Sequence, residues 1–413
     1  MAEKNFKAAV SLRSVRAASK KLELRSLESA SIDLDEARQN FESLSMGEQL
    51  NLAQHTAEAR KSEYTRLVTN VVAVTAGLRR QRDAYGHEHI HPSPCVVFVV
   101  RTKPSKAELR HTPPQVLPQR LITSVLTGGT LKHFSIPVDV QLQDRLLSAT
   151  AQADTAVFAR SSQSGRADFG TVTCVVVDGA GTRYAMAPIH VLSPYPVSNG
   201  RGISAAAAPN VFRVASAASP PDSAPFLRST VFGGRLAPEP LRSFDVQLAA
   251  IADRHRLSAA FSGVNLSRDM PYVGSIVELG NLLRDGRRME ILVPNNHPDH
   301  LGTLRTPPQA TLSLVDTDQT IWYQFSSQQQ PVLHNVLELQ LVAGDSTNAG
   351  DSGSAVVIPG DDSSYRFVGM HIAGNKSRRT SFVIPAWKLL NGLEYASVGG
   401  AMPPGGLDLA ASF

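Results

Sequence analysis

The chain predicts a mostly β protein with helices at its N-terminal end, and three observations carry that expectation. From about residue 165 to 395, short apolar runs alternate with Gly, Pro, Asn and Asp turns and show little helical period. Residues 1 to about 85 instead repeat apolar positions near the helical period. Between them, prolines and isolated strand candidates mark a change of texture. The expected division is a helical region at 1–85, a small α+β unit at 86–164, an all-β barrel pair or sandwich at 165–395 and a flexible tail at 396–413.

In chain order, Ser31 with Asp33 and Asp35 reads as a helix start, because acidic residues favour the positive end of the helix dipole. Tyr64, Leu67, Val68, Val71, Val72 and Leu78 form one apolar helical face. Cys95-Val-Val-Phe-Val-Val100, bounded by Pro92, Pro94 and Pro104, is a buried-strand candidate, and Ile136–Gln141 is a second. The β region supplies runs at Val172–Val177, Tyr184–Ile189, Val246–Ile251, Ile291–Val293, Ile321–Phe325, Val336–Val342, Ala355–Ile358 and Phe367–Ile372. Residues 195–240, rich in Ala, Pro and Ser, read as a long surface loop. The glycines and prolines of Gly399–Gly406 read as a flexible end.

Composition narrows the function classes. The chain has 413 residues, 42% hydrophobic and 19% charged, which is ordinary for a globular protein of two or three domains. No run approaches the roughly 18 apolar residues of a membrane helix, so no membrane partner is expected. The formal charge of +5 is small, and clusters such as Arg79, Arg80 and Arg82, or Lys376, Arg378 and Arg379, read as solvated surface rather than a nucleic-acid site. A charged N-terminus without an apolar leader and only two cysteines, Cys95 and Cys174, point to a reducing, cytoplasmic setting.

Chemistry concentrates in Asn348-Ala-Gly-Asp-Ser-Gly-Ser-Ala-Val-Val357. Gly350 and Gly353 allow a sharp turn at Ser352, and the amides of Gly350 and Ser352 are then placed to converge on a developing oxyanion. A serine hydroxyl needs a base and an orienting acid. His190 ends the apolar strand candidate at Tyr184–Ile189, and Asp245 stands at the head of an alternating strand. His255, His297, His300 and His334 are rivals for the base, and Asp222 and Asp253 for the acid.

These three motifs resemble those of the chymotrypsin-like (trypsin-fold) serine peptidases, in the bacterial and plant trypsin-like branch. The segment from Gly170 to Ala185 is similar to the first hairpin of such proteins, and Cys95–Pro104 with Ile136–Val140 to the strand unit before it. The likeness covers about residues 86–395. It implies a double β-barrel, with Ser352 as nucleophile, His190 as general base and then acid, Asp245 as the orienting acid, and Gly350 and Ser352 as the oxyanion amides. The approach Ala187-Pro-Ile-His190 departs from the family pattern. No Ile-Val-Gly-Gly-like new N-terminus is present for Asp351, so Asp351 is expected to find an internal donor.

The resemblance extends to specificity. Gly369-Met-His-Ile-Ala-Gly374 is similar to the Gly-x-His segment of glutamyl endopeptidases and picornaviral cysteine proteases, which bind Glu or Gln with that histidine and a threonine five residues before the nucleophile. Here these are His371 and Thr347, with Ile372 and Gly374 placed to pair with substrate backbone. Ser346 stands where trypsin carries an acid; Asp345 nearby is the feature that would favour a basic side chain.

His87, His89, His91 and Cys95 form the one metal-like cluster, at a spacing matching no common zinc module. No metal or cofactor is expected. The combined reading is a serine endopeptidase acting on protein or peptide substrates, with the N-terminal helices as the expected site for a regulatory partner. The alternative is a catalytically silent protease-fold binding module.

Overall fold

The computed structural model describes residues 32–68, 70–82, 88–102, 117–127, 129–142, 156–160, 167–192, 203–204, 211–215, 232–237, 241–251, 261, 264–293, 306–320, 331–348, 350–362 and 364–410. The chain divides into two compact units, Met1–Asp144 and Arg145–Phe413.

In the first unit, helix α1 (Leu34–Glu42) starts at Asp33, whose carboxylate accepts from the Asp35 and Glu36 amides. Helix α2 (Met46–Leu67) starts at Ser45 in a reciprocal capping box with Glu48. Its buried face, Leu50, Ala53, Ala57 and Tyr64, follows the helical period and packs on strands β1 (Val71–Arg82) and β2 (Glu88–Val100). Tyr64 meets Phe98 edge-on with ring centroids 4.7 Å apart. Strands β3 (Arg120–Thr127) and β4 (Thr130–Leu142) complete the order β1-β2-β4-β3, with β2 and β4 parallel.

Two expectations are corrected here. The apolar face read as helix through Leu78 is helix only to Leu67; Val71 onward is strand. The run Val71-Val-Ala-Val-Thr75 is β-branched except at Ala73, and a short apolar run fits either period until pairing decides it. Pairing of Gln81 with His89 then carries the sheet across residue 85, so the helices and the α+β elements belong to one unit ending at Asp144.

The second unit is almost entirely β. Its first part contains β5 (Ala156–Arg160), β6 (Ala167–Thr171), β7 (Cys174–Asp178), β8 (Arg183–Ala187), a short helix α3 (Ile189–Leu192), β9 (Ile203–Ser204), β10 (Val211–Ala215), β11 (Phe232–Leu236) and β12 (Phe244–Ala250). The β7–β8 hairpin turns where Asp178 accepts from the Ala180 and Thr182 amides and Gly181 takes a positive φ. Its second part contains helix α4 (Ile276–Arg284), β13 (Met289–Leu292), β14 (Gln309–Thr320), β15 (Val332–Leu341), β16 (Ala355–Pro359), β17 (Tyr365–Asn375), β18 (Thr380–Pro385) and helices α5 (Ala386–Leu389) and α6 (Gly392–Ser397), before a last strand, β19 (Leu407–Leu409).

These strands form two main β bodies. One is a six-stranded sheet ordered β19-β7-β8-β12-β11-β9, accompanied by the three-stranded β10-β5-β6. The other runs β13-β16-β17-β18-β15-β14, and β14 pairs back onto β13 to close an antiparallel barrel without free edges. A shared core fills the space between, including Met186, Phe244, Val246 and Leu248 from the first body and Phe367, Met370, Ile372 and Ile384 from the second. The mostly β class is the one expected, with helices at the N-terminal end. Among the described residues, no helix is long and apolar enough to cross a membrane.

The tail expectation is overturned. Residues beyond 396 return to the six-stranded sheet, where β19 pairs with β7. Tyr395 is buried against Phe244, and its hydroxyl donates to the Leu389 carbonyl at 2.7 Å. Gly400 lies so close to Gly233 that a Cβ there would stand 2.2 Å from the Gly233 carbonyl. Gly400 serves close approach, not looseness. The loop read at 195–240 includes β9, β10 and β11, its remainder lying mostly outside the described residues, as does the strand candidate Ile321–Phe325.

Because Leu407 is buried on the edge of the sheet, Leu407→Ala is expected to destabilise the protein by about 2–3 kcal/mol in denaturant melts. A disordered tail would give no change.

Candidate active site

Strands β8 and β12 pair antiparallel, with Ala187 opposite Gln247 and Met186 opposite Leu248. That register brings the residues just beyond Ala187 next to those just before Gln247. The chain leaves β8 through Pro188, whose carbonyl accepts from the Val191 and Leu192 amides as α3 begins. His190 is therefore the second residue of a short helix, not the end of the strand as expected. Proline has no amide to lose at a helix start, so the departure at Pro188 is accommodated.

His190 and Asp245 meet there. The His190 Nδ1 lies 2.5 Å from Asp245 Oδ2, and the His190 main-chain amide donates to Oδ1 at 3.3 Å. Exposure is 4% for His190 and 0% for Asp245. An ionised carboxylate only accepts, so Nδ1 carries the proton and Nε2 is left as the acceptor nitrogen.

Ser352 sits in a turn that only its glycines permit. Gly350 has φ +105° and Gly353 φ +95°. A Cβ on Gly353 would stand 1.9 Å from the Thr171 carbonyl and 3.2 Å from Pro188 Cδ, so the turn is pressed against the segment leading to His190. Asp351 finds its internal donor in the Asn348 amide at 2.7 Å. The Asp351, Gly353 and Ser354 amides donate to Asn348, His371 and Asp351 carbonyls respectively. Among the described residues, no acceptor takes the Gly350 or Ser352 amide. The Ser352 hydroxyl donates to the Ile372 carbonyl at 2.8 Å. A hydroxyl has one proton, so in this state it is not given to His190.

The residues read as a specificity pocket gather along β17. Thr347, 7% exposed, places its hydroxyl over Gly374, where a Cβ would come within 2.3 Å of Oγ1. His371 is tied to the serine turn by its backbone, accepting from the Gly353 amide at 2.7 Å and donating to the Ser354 carbonyl at 2.9 Å. Its ring Nδ1 pairs with Ser381 Oγ at 2.7 Å. Burial is the main cause that lowers its pKa from the ordinary 6.5 to about 4, against a partial opposing pull from the Asp351 carboxylate. His371 is therefore neutral at neutral pH. Ile372 lends its carbonyl to the Ser352 hydroxyl while its side chain lies in the core. Asp345, the feature that would favour a basic side chain, is turned toward the Gln309 amide at 2.7 Å.

Of the rival residues, His334 pairs with Asp318 at 3.0 Å, and Asp222, Asp253, His255, His297 and His300 lie outside the described residues. In the metal-like cluster, His89 and His91 are exposed while Cys95 is buried, so the thiol does not share their surface; His87 is outside the described residues. Sequence reasoning missed Thr171 and Ser381. Thr171 lies 179 residues from Gly350, whose carbonyl accepts its hydroxyl, and no local pattern signals such a contact.

The depressed His371 pKa has a stability consequence. Between pH 6.5 and about 4 the unfolded chain binds a proton that the folded site refuses, so the contribution is complete above pH 6.5 and is lost as pH falls toward 4. Its full size is on the order of 3 kcal/mol. Melting temperatures across that window should fall more steeply for the wild type than for His371→Gln; parallel profiles would contradict the assignment.

No protein-family model and no curated protein matches this sequence. Among solved structures, the chain is similar to the Nocardiopsis protease NAPase at 10% sequence identity and a TM-score of 0.32, over 64% of this chain and 100% of that one. The site therefore rests on its own geometry.

Proposed function

We propose that this protein is a serine endopeptidase in which Ser352 attacks a peptide carbonyl and forms an acyl-enzyme. The observation that carries the reading is the buried 2.5 Å pair between His190 and Asp245, beside a serine turn whose Gly350 and Ser352 amides are uncommitted among the described residues. His190 Nε2 takes the serine proton and later delivers it to the leaving amine. Asp245 orients the ring and stabilises its charged form, and the two amides receive the oxyanion. A rotation of the serine side chain away from the Ile372 carbonyl precedes attack. Catalytic hydrogen bonds of an unliganded site commonly form only when substrate binds.

The same reading assigns the pocket to Gln and Glu side chains. Neutral His371 and the Thr347 hydroxyl offer hydrogen-bonding groups rather than a charge, and Asp345 is occupied elsewhere. Leaving such buried groups unpaired penalises apolar side chains. Two free buried cysteines support a cytoplasmic setting, and the N-terminal helices α1 and α2 are the candidate region for a regulatory partner. One observation favours a second reading, that of a silent binding module: the Ser352 proton is held by the Ile372 carbonyl.

Labelling of the full-length protein with a fluorophosphonate tests the choice. The wild type should label and Ser352→Ala should not, and Asp245→Asn should lower turnover by roughly 10⁴-fold. No labelling of a folded wild type would favour the binding module. On a peptide library, cleavage after Gln and Glu should exceed cleavage after Arg, Lys and Leu; predominance of Arg or Lys would end the pocket assignment and leave the serine chemistry standing.

A further inference from the structure

Resting on the serine-peptidase reading, we infer that Thr171 is a positioning residue that holds the nucleophile turn and its oxyanion amides in register with the helix bearing His190. One residue on β6 grips the turn twice. Its hydroxyl donates to the Gly350 carbonyl at 3.0 Å, and its amide donates to the Ser352 carbonyl at 3.0 Å. Thr171 is 3% exposed, so both bonds lie out of water.

The effect on the turn follows peptide by peptide. The 350–351 peptide is pinned at its carbonyl by the Thr171 hydroxyl and at its amide by the Asn348 carbonyl, 3.2 Å away. The 352–353 peptide is pinned at its carbonyl by the Thr171 amide and at its amide by the His371 carbonyl. Between them, the Asp351 carbonyl accepts from the Ser354 amide at 2.9 Å. In a trans peptide the N–H points opposite to the C=O, so the Ser352 amide is turned to the other side. Gly350 has no side chain to resist rotation, and its orientation depends on such external bonds.

The neighbouring residue completes the device. A Cβ on Gly170 would stand 2.2 Å from Val191 Cγ1, so β6 lies directly on α3 beside His190. Consecutive residues of one strand thus touch the helix bearing the base and the turn bearing the nucleophile.

Thr171→Val keeps the shape and the backbone bond to Ser352 but removes the hydroxyl, and Thr171→Ser retains it. The readouts are the second-order rate of fluorophosphonate labelling and the kcat and KM for a cleaved peptide. Thr171→Val should label about 10-fold more slowly, a smaller loss than the ~10²–10³ for removing an oxyanion donor outright. Its kcat should fall alongside with KM unchanged, and Thr171→Ser should restore the rate. A purely structural role would lower the melting temperature without that split. If wild type labels and folded Thr171→Val matches it, the inference is overturned while the serine reading stands; if wild type does not label, both are overturned. Should Thr171→Val not fold, Thr171→Cys carries the test through its weaker S–H donor: slower labelling than Thr171→Ser supports the inference, and an equal rate overturns it.

Discussion

Asp245 has no exposed surface, and a carboxylate withdrawn from water is tolerable only where donors replace that water. Here His190 supplies two donors, through its ring Nδ1 and its main-chain amide. The pairing of β8 with β12 provides the register, and the short helix after Pro188 turns the amide and the ring toward the same carboxylate. The imidazole is left with a fixed tautomer as a result.

The second constraint is the close seam between the two β bodies of the second unit. Gly353 lies against the Thr171 carbonyl, with no room for a Cβ. Backbone meets backbone there, and Thr171 supplies hydrogen bonds across the gap. Close packing of this kind transmits small shifts instead of absorbing them. The serine turn is therefore positioned by a strand of the other body as much as by its own loop.

Much of the β architecture was legible because its strands carry short apolar runs bounded by turn residues, as at Val246–Ile251 and Phe367–Ile372, which overlap the strands Phe244–Ala250 and Tyr365–Asn375. Two misreadings have physical causes. Val71 and Val72 fit a helical face and a strand equally well until β2 pairs beside them. Gly399, Gly400, Gly405 and Gly406 resemble a flexible end in composition, yet three of them adopt positive φ and Gly400 meets the Gly233 backbone. Composition reports conformational freedom; it does not report whether tertiary contacts use it.

By itself the sequence determined the glycine-flanked serine turn, the acid at the head of β12, the histidine after β8 and the mostly β class, because each is written in local pattern and spacing. Only the tertiary structure decided that the Ser352 proton rests on Ile372, that His371 is buried and neutral, that Asp345 turns toward Gln309 and that Thr171 grips the serine turn. Hydrogen bonds between residues far apart in the chain, and the loss of water around them, have no local signature. They exist only once the strands have paired.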